Sequence, residues 1–197
     1  MLLARARHVQ AQEQERLDAA WAALHANDED AVLGALEAAF EDNQAPAAAL
    51  GVEGGTAYVA VLVPGPETLP ERLPSTTVAG NLSLKKMTKS QRASWYLPLV
   101  AGHVVAAAKE ALATCPGLEN VTVVALRPEA AGPPLPILAT NLARRGLDQV
   151  AWAEVSAWDV VERLGRDTRV RFKGVARELA GLDLSDEPSL KLIRDAF

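Results

Sequence analysis

Thr88 to Leu126 reads TKSQRASWYLPLVAGHVVAAAKEALATCPGLENVTVVAL. Its opening Thr88-Lys89-Ser90-Gln91 matches a capping box, in which the threonine hydroxyl and the glutamine side chain each satisfy a free backbone amide of the first turn. Ala93, Leu97, Val100, Val104, Ala107, Ala111 and Cys115 then advance by four or three, a single apolar seam of about seven turns. Pro98 interrupts it and predicts a kink there or a helix start nearer Leu97. Pro116-Gly117 ends the helix, and Val121 to Leu126 follows as a β-branched strand. One long helix set among short strands predicts an α+β fold. The expected architecture is a mixed or antiparallel sheet of three to five strands, the helix across one face, and an N-terminal helical hairpin.

Upstream, residues 1–25 read as a helix because Leu17, Trp21 and Leu24 share a face. The earlier turns offer only Leu2, Leu3 and Val9 as large apolar side chains, so they need a partner or fray. Asn27-Asp28-Glu29-Asp30 starts a second helix with a cap and first-turn acids, and Val32, Leu36 and Phe40 form its buried stripe. Gly54-Gly55 between Leu50-Gly51-Val52 and Tyr58–Val63 signals a tight hairpin. The second run, apolar on both faces, predicts a central strand. Pro64, Pro66, Pro70 and Pro74 predict an irregular loop to about Asn81. The division expected is an arm, 1–46, and an α+β domain, 47–197.

Downstream of the long helix, strands are expected at about Ile137 to Asn141 and at Gln149 to Glu154. Ser156 caps a short helix through Trp158, Val161 and Leu164. Val170 to Lys173 alternates like a strand, and Leu190 to Phe197 suits a terminal helical turn or two.

Composition excludes several functions. No window approaches the 18 or so consecutive apolar residues of a membrane span, and Met1 to Arg7 turns polar too early for a signal peptide, so a cytoplasmic location is expected. One cysteine, Cys115, permits neither an internal disulfide nor a multi-thiolate zinc site, and it reads as a small buried hydrophobe. The net charge of −5 hides an asymmetry. Residues 1–80 carry 4 basic and 12 acidic side chains, whereas 81–197 carry 16 and 13.

The basic side chains form two clusters. Lys85, Lys86, Lys89 and Arg92 stand at the long helix's entrance, with no acid between Glu71 and Glu110; Arg169, Arg171, Lys173 and Arg177 belong to a second run from Arg163 with Asp167 as its one acid. Such groups bind phosphates through counterion release without fixed spacing, provided the clusters are neighbours in space. His103 has no positioned partner in the sequence; Glu110, about two turns on, is too far for a direct hydrogen bond. The acid-then-acid-x-lysine pattern of restriction-type nucleases is missing, Glu154 being followed by Val155-Ser156, so Asp148, Glu154 and Asp159 read as structural charges. Trp95, beside the basic entrance, is expected to pack between arm and sheet. No catalytic residue, metal ligand or cofactor motif is assigned.

From Leu82 to Leu126, and again near Phe172-Lys173, the order of hairpin, proline-rich loop, polar helix entrance, long seamed helix and valine-rich strand resembles a group of bacterial proteins without an assigned activity. The resemblance spans residues 30–175 and implies the fold but no site residues. The function expected first is a non-catalytic accessory or regulatory role through self-association or a protein partner, with Leu17, Trp21 and Leu24 as the contact. The alternatives are nucleic-acid or other polyanion binding by the two basic clusters, and an enzyme of unrecognised type.

Overall fold

A computed structural model describes residues 2–184, with side chains from residue 5 onward. Helices α1 (Leu2–His25) and α2 (Glu29–Phe40) are joined by a three-residue connection and lead into strands β1 (Ala47–Glu53) and β2 (Thr56–Leu62). A two-stranded ribbon, β3 (Arg72–Thr76) and β4 (Leu82–Lys86), precedes the long helix α3 (Lys89–Thr114). Strands β5 (Asn120–Arg127) and β6 (Leu135–Ala143) follow, then the short α4 (Arg144–Leu147), α5 (Ala157–Leu164) and β7 (Arg166–Val170). The chain closes with a minimal ribbon, β8 (Phe172–Lys173) and β9 (Glu178–Leu179).

The main sheet has the order β1-β2-β5-β6-β7. Only β2 and β5 are parallel, in register from Thr56/Asn120 to Leu62/Leu126; every other neighbouring pair is antiparallel. A parallel pair needs a crossover, and α3 supplies it. Valine-rich β2 and β5 are central, covered on both faces as their unbroken apolar runs require. Ala57, Val59, Val61, Val121, Val123 and Ala125 join Val100, Val104, Ala108 and Ala111 of α3 and Val32, Leu36 and Phe40 of α2 in one core. On the other face Ala60, Val124, Leu126 and Ala139 pack with Leu184. The α+β fold, the mixed sheet, the long helix and the N-terminal helical pair stand as the sequence predicts. No helix among the described residues is long and apolar enough to cross a membrane.

Three expectations are corrected. Residues 64–81 are not irregular: Pro66–Thr68 is a 3-10 turn and β3 pairs with β4, Pro74 lying opposite Leu84. Proline fits there because a two-stranded ribbon consists of edges, where a missing donor faces solvent. Residues 149–154 form turns instead of a strand, with the amides of Gln149, Val150 and Glu154 bonded to Gly146, Leu147 and Ala151. Of the two alternatives at Pro98, the later start near Leu97 is the one overturned, because α3 begins at Lys89 after its Thr88 cap. The carbonyl that loses its donor belongs to Ser94, an exposed residue. Residues 190–197, expected as a terminal helical turn, lie outside the described residues.

Candidate anion-binding cleft

The N-terminus of α3 carries no acid in its first turn, unlike α2 with Glu29 and Asp30 and α5 with Asp159. The capping box is complete: Gln91 N donates to Thr88 Oγ1 at 3.2 Å and Thr88 N donates to Gln91 Oε1 at 2.9 Å. Lys89 and Arg92 therefore sit at the positive end of a 26-residue helix dipole with no carboxylate in the helix's own first turn to offset them. That arrangement opposes helix stability slightly and favours an anion.

A cleft of 520 Å³ opens here, lined by Pro66, Lys89, Arg92, Ala93, Tyr96, Arg127, Leu135, Arg171, Lys173 and residues 178–181. It lies at the carboxyl ends of the parallel strands β2 and β5 and the start of the helix connecting them, the crevice position that ligands occupy in open α/β sheets. Two walls meet across it. Lys89 and Arg92 come from α3; Arg171 and Lys173 come from the segment after β7. Among the described residues these four cations have no ion-pair partner, and Glu178 is the cleft's only acid. Arg127, closing β5, is half committed: it pairs with Glu129 at 2.9 Å and donates to the Leu179 carbonyl at 3.3 Å. Beneath lies Tyr96, 3% exposed, whose hydroxyl donates to the Pro64 carbonyl at 3.0 Å. Burial pushes its pKa up to about 12, so it stays a neutral phenol.

The structure thus brings four of the eight sequence-predicted cations together. Lys85 and Lys86 remain exposed on the β3–β4 ribbon, opposite Leu73 and Arg72. Arg177 stacks on the Phe172 ring at 4.6 Å, and Arg169 stands on β7 in register with Ala139, outside the cleft lining. The sequence reading missed Arg127. Its signal was positional, a cation placed directly after an apolar run at a strand's carboxyl end.

Other candidates resolve differently. His103 borders a cavity of 230 Å³ with Asn43, Gln44 and Ala107, and burial lowers its pKa. Glu110 accepts from Asn43 Nδ2 at 2.6 Å, and no hydrogen bond joins it to His103. Asp159 belongs to the capping box of α5, while Asp148 and Glu154 are exposed. Cys115 is fully buried, its thiol pushed up to about 11 by burial, so it is protonated at neutral pH. Trp95 is 48% exposed and does not serve as packing between arm and sheet. No group of three or more metal-ligating side chains occurs among the described residues. On α1, Leu17 and Trp21 are exposed, whereas Leu24 packs on the core.

A third depression, 720 Å³, gathers Arg145, Arg163 and Arg166 at the other end of α3. Its inner residue, Arg144, is spent on structure: Nη2 donates to the carbonyls of Leu112 and Cys115 at 2.8 and 3.0 Å, and Nε to Leu118 at 2.9 Å. Leu112 lies in the last turn of α3, where carbonyls lack helical partners, and Cys115 is its C-cap. Compared with protein-family models, with curated proteins and with solved structures, the chain matches none.

Proposed function

We propose that this protein is a binding module for an anionic ligand, held in the cleft between the start of α3 and the segment that follows β7. One observation supports the reading: Lys89 and Arg92 line a single cavity together with Arg171 and Lys173, about eighty residues away in sequence, with no carboxylate paired to any of them among the described residues. Like charges held together cost folding energy unless a ligand neutralises them. The sequence alone offered polyanion binding as its alternative; the meeting of two basic segments at one concave place moves it to first.

The test is calorimetric titration of inorganic pyrophosphate into the full chain at low salt. Lys89→Gln combined with Arg171→Gln should weaken binding about a hundredfold, from roughly 1.4 kcal/mol per lost contact. Affinity should fall steeply as salt rises. Heat of binding that the double variant does not change would remove the proposal.

A second reading, self-association through α1, is favoured by the side chains that helix leaves in water. Leu17 is 48% and Trp21 57% exposed, and exposure is continuous from Arg5 to Ala22. An isolated helix of this length is marginal in water, so a partner for that stripe would stabilise it. The two readings use opposite parts of the chain and are compatible.

A further inference from the structure

We infer that the cleft's ligand is an organic polyphosphate: a compact molecule with two or three phosphate groups attached to an apolar body. This deepens the anion-binding reading and rests on it. Size separates a compact ligand from a polymer. A cavity of 520 Å³ falls within the roughly 300–1,000 Å³ that encloses one small molecule. A nucleic-acid strand instead requires an open track of cations and stacking rings. The exposed ribbon lysines, Lys85 and Lys86, which would extend such a track, do not line the cavity.

The lining is divided in a way that an inorganic anion would use only in part. Lys89, Arg92, Arg171 and Lys173 supply positive charge from two separate segments, and Arg127 adds a fifth cation, a third guanidinium, whose three nitrogens already donate to Glu129 and Leu179. Four cations without an ion-pair partner among the described residues match the three or four negative charges of a diphosphate or triphosphate. Arginine forks take phosphate oxygens in pairs, whereas the lysines act as mobile point charges. Below and beside them lie Tyr96, Ala93, Leu135 and Leu179, with Pro66 at the margin. Leu179 is 7% and Tyr96 3% exposed, the Tyr96 hydroxyl being engaged with Pro64, while Ala93 and Leu135 are half-buried. A bare pyrophosphate leaves the half-buried Ala93 and Leu135 against water. An attached apolar body covers them, and the area removed from water adds to the affinity.

The same full-length protein is titrated with inorganic pyrophosphate, with ADP and geranyl diphosphate as diphosphates on an aromatic and an aliphatic body, and with a single-stranded oligonucleotide. At least one organic diphosphate should bind about tenfold more tightly than pyrophosphate. Leu135→Ser should erase that margin. Ala93→Leu, which fills the floor from an otherwise intact helix, should erase it too and guards against a Leu135 variant that does not fold. Equal affinity for pyrophosphate and both organic diphosphates on the native chain overturns the inference while leaving the anion-binding reading in place, and tighter binding of the oligonucleotide does the same. Failure of pyrophosphate and both organic diphosphates to bind ends both.

Discussion

The hydroxyl of Tyr96 donates to the carbonyl of Pro64 over 3.0 Å, joining the second turn of α3 to the segment that leaves β2. This bond fixes the floor of the cleft. Tyr96→Phe keeps the ring and removes the donor, so chemical denaturation should show a loss of about 1 kcal/mol. The folded chain holds the phenolic proton more tightly than the unfolded chain, where the pKa is about 10. The stabilisation is therefore complete below pH 10 or so and disappears as the pH rises through about 12. Stability of the phenylalanine variant should fall less steeply over that alkaline range.

Arg144 should behave as a structural cap and not as a ligand group. It gives hydrogen bonds to four backbone carbonyls at and just beyond the end of α3, each from a charged donor. Arg144→Ala should cost about 3 kcal/mol in denaturant titrations, and Arg144→Lys should recover little because one ammonium cannot span the same carbonyls. Pyrophosphate affinity should not change in either folded variant.

Gly117 is required by close approach rather than by its backbone angle. A Cβ there would lie 2.5 Å from the Leu24 carbonyl oxygen and 2.6 Å from that of His25. Asn27, with φ of 56°, reaches back to donate to the Gly117 carbonyl at 3.0 Å. Gly117→Ala should push the end of α1 away, lowering the melting temperature by several degrees, about 2 kcal/mol. Hydrogen exchange should quicken at Leu24 to Asp28 before it does so in β5.

The exposed stripe of α1 makes its own prediction. Sedimentation of the native chain should give a mass that rises with concentration, and Leu17→Ser with Trp21→Ser should hold it at the monomer without altering pyrophosphate binding. A native monomer at high micromolar concentration would remove the second reading.

The sequence carried most of the fold because its signals were local. Thr88 and Gln91 cap α3, Ser156 and Asp159 cap α5, and Gly54-Gly55 turns β1 into β2, each through bonds or angles set within a few residues. Val32, Leu36, Val100 and Val104 are buried as their spacing required. Misreadings arose where the surroundings decide. Proline content suggested a loop at 64–81, but whether Pro74 breaks a strand depends on its having a neighbour on only one side. The strand expected at Gln149 to Glu154 gave way to turns, its first two amides bonding back to α4. For the site, residue types were legible and their assembly was not: Lys89 and Arg171 are brought together by the crossover through α3 and the sheet order, a long-range arrangement absent from any window of sequence. Arg127 joined them for the same reason.

The central claim concerns where an anion sits, and backbone amide NMR during a pyrophosphate titration reads that position directly. The shifts should concentrate at Lys89 to Ala93 on one wall and Arg171 to Lys173 on the other, with Arg127 between them, saturating together with one affinity. Shifts confined to the Leu82–Lys86 ribbon, or spread evenly over the basic surface, would contradict the account.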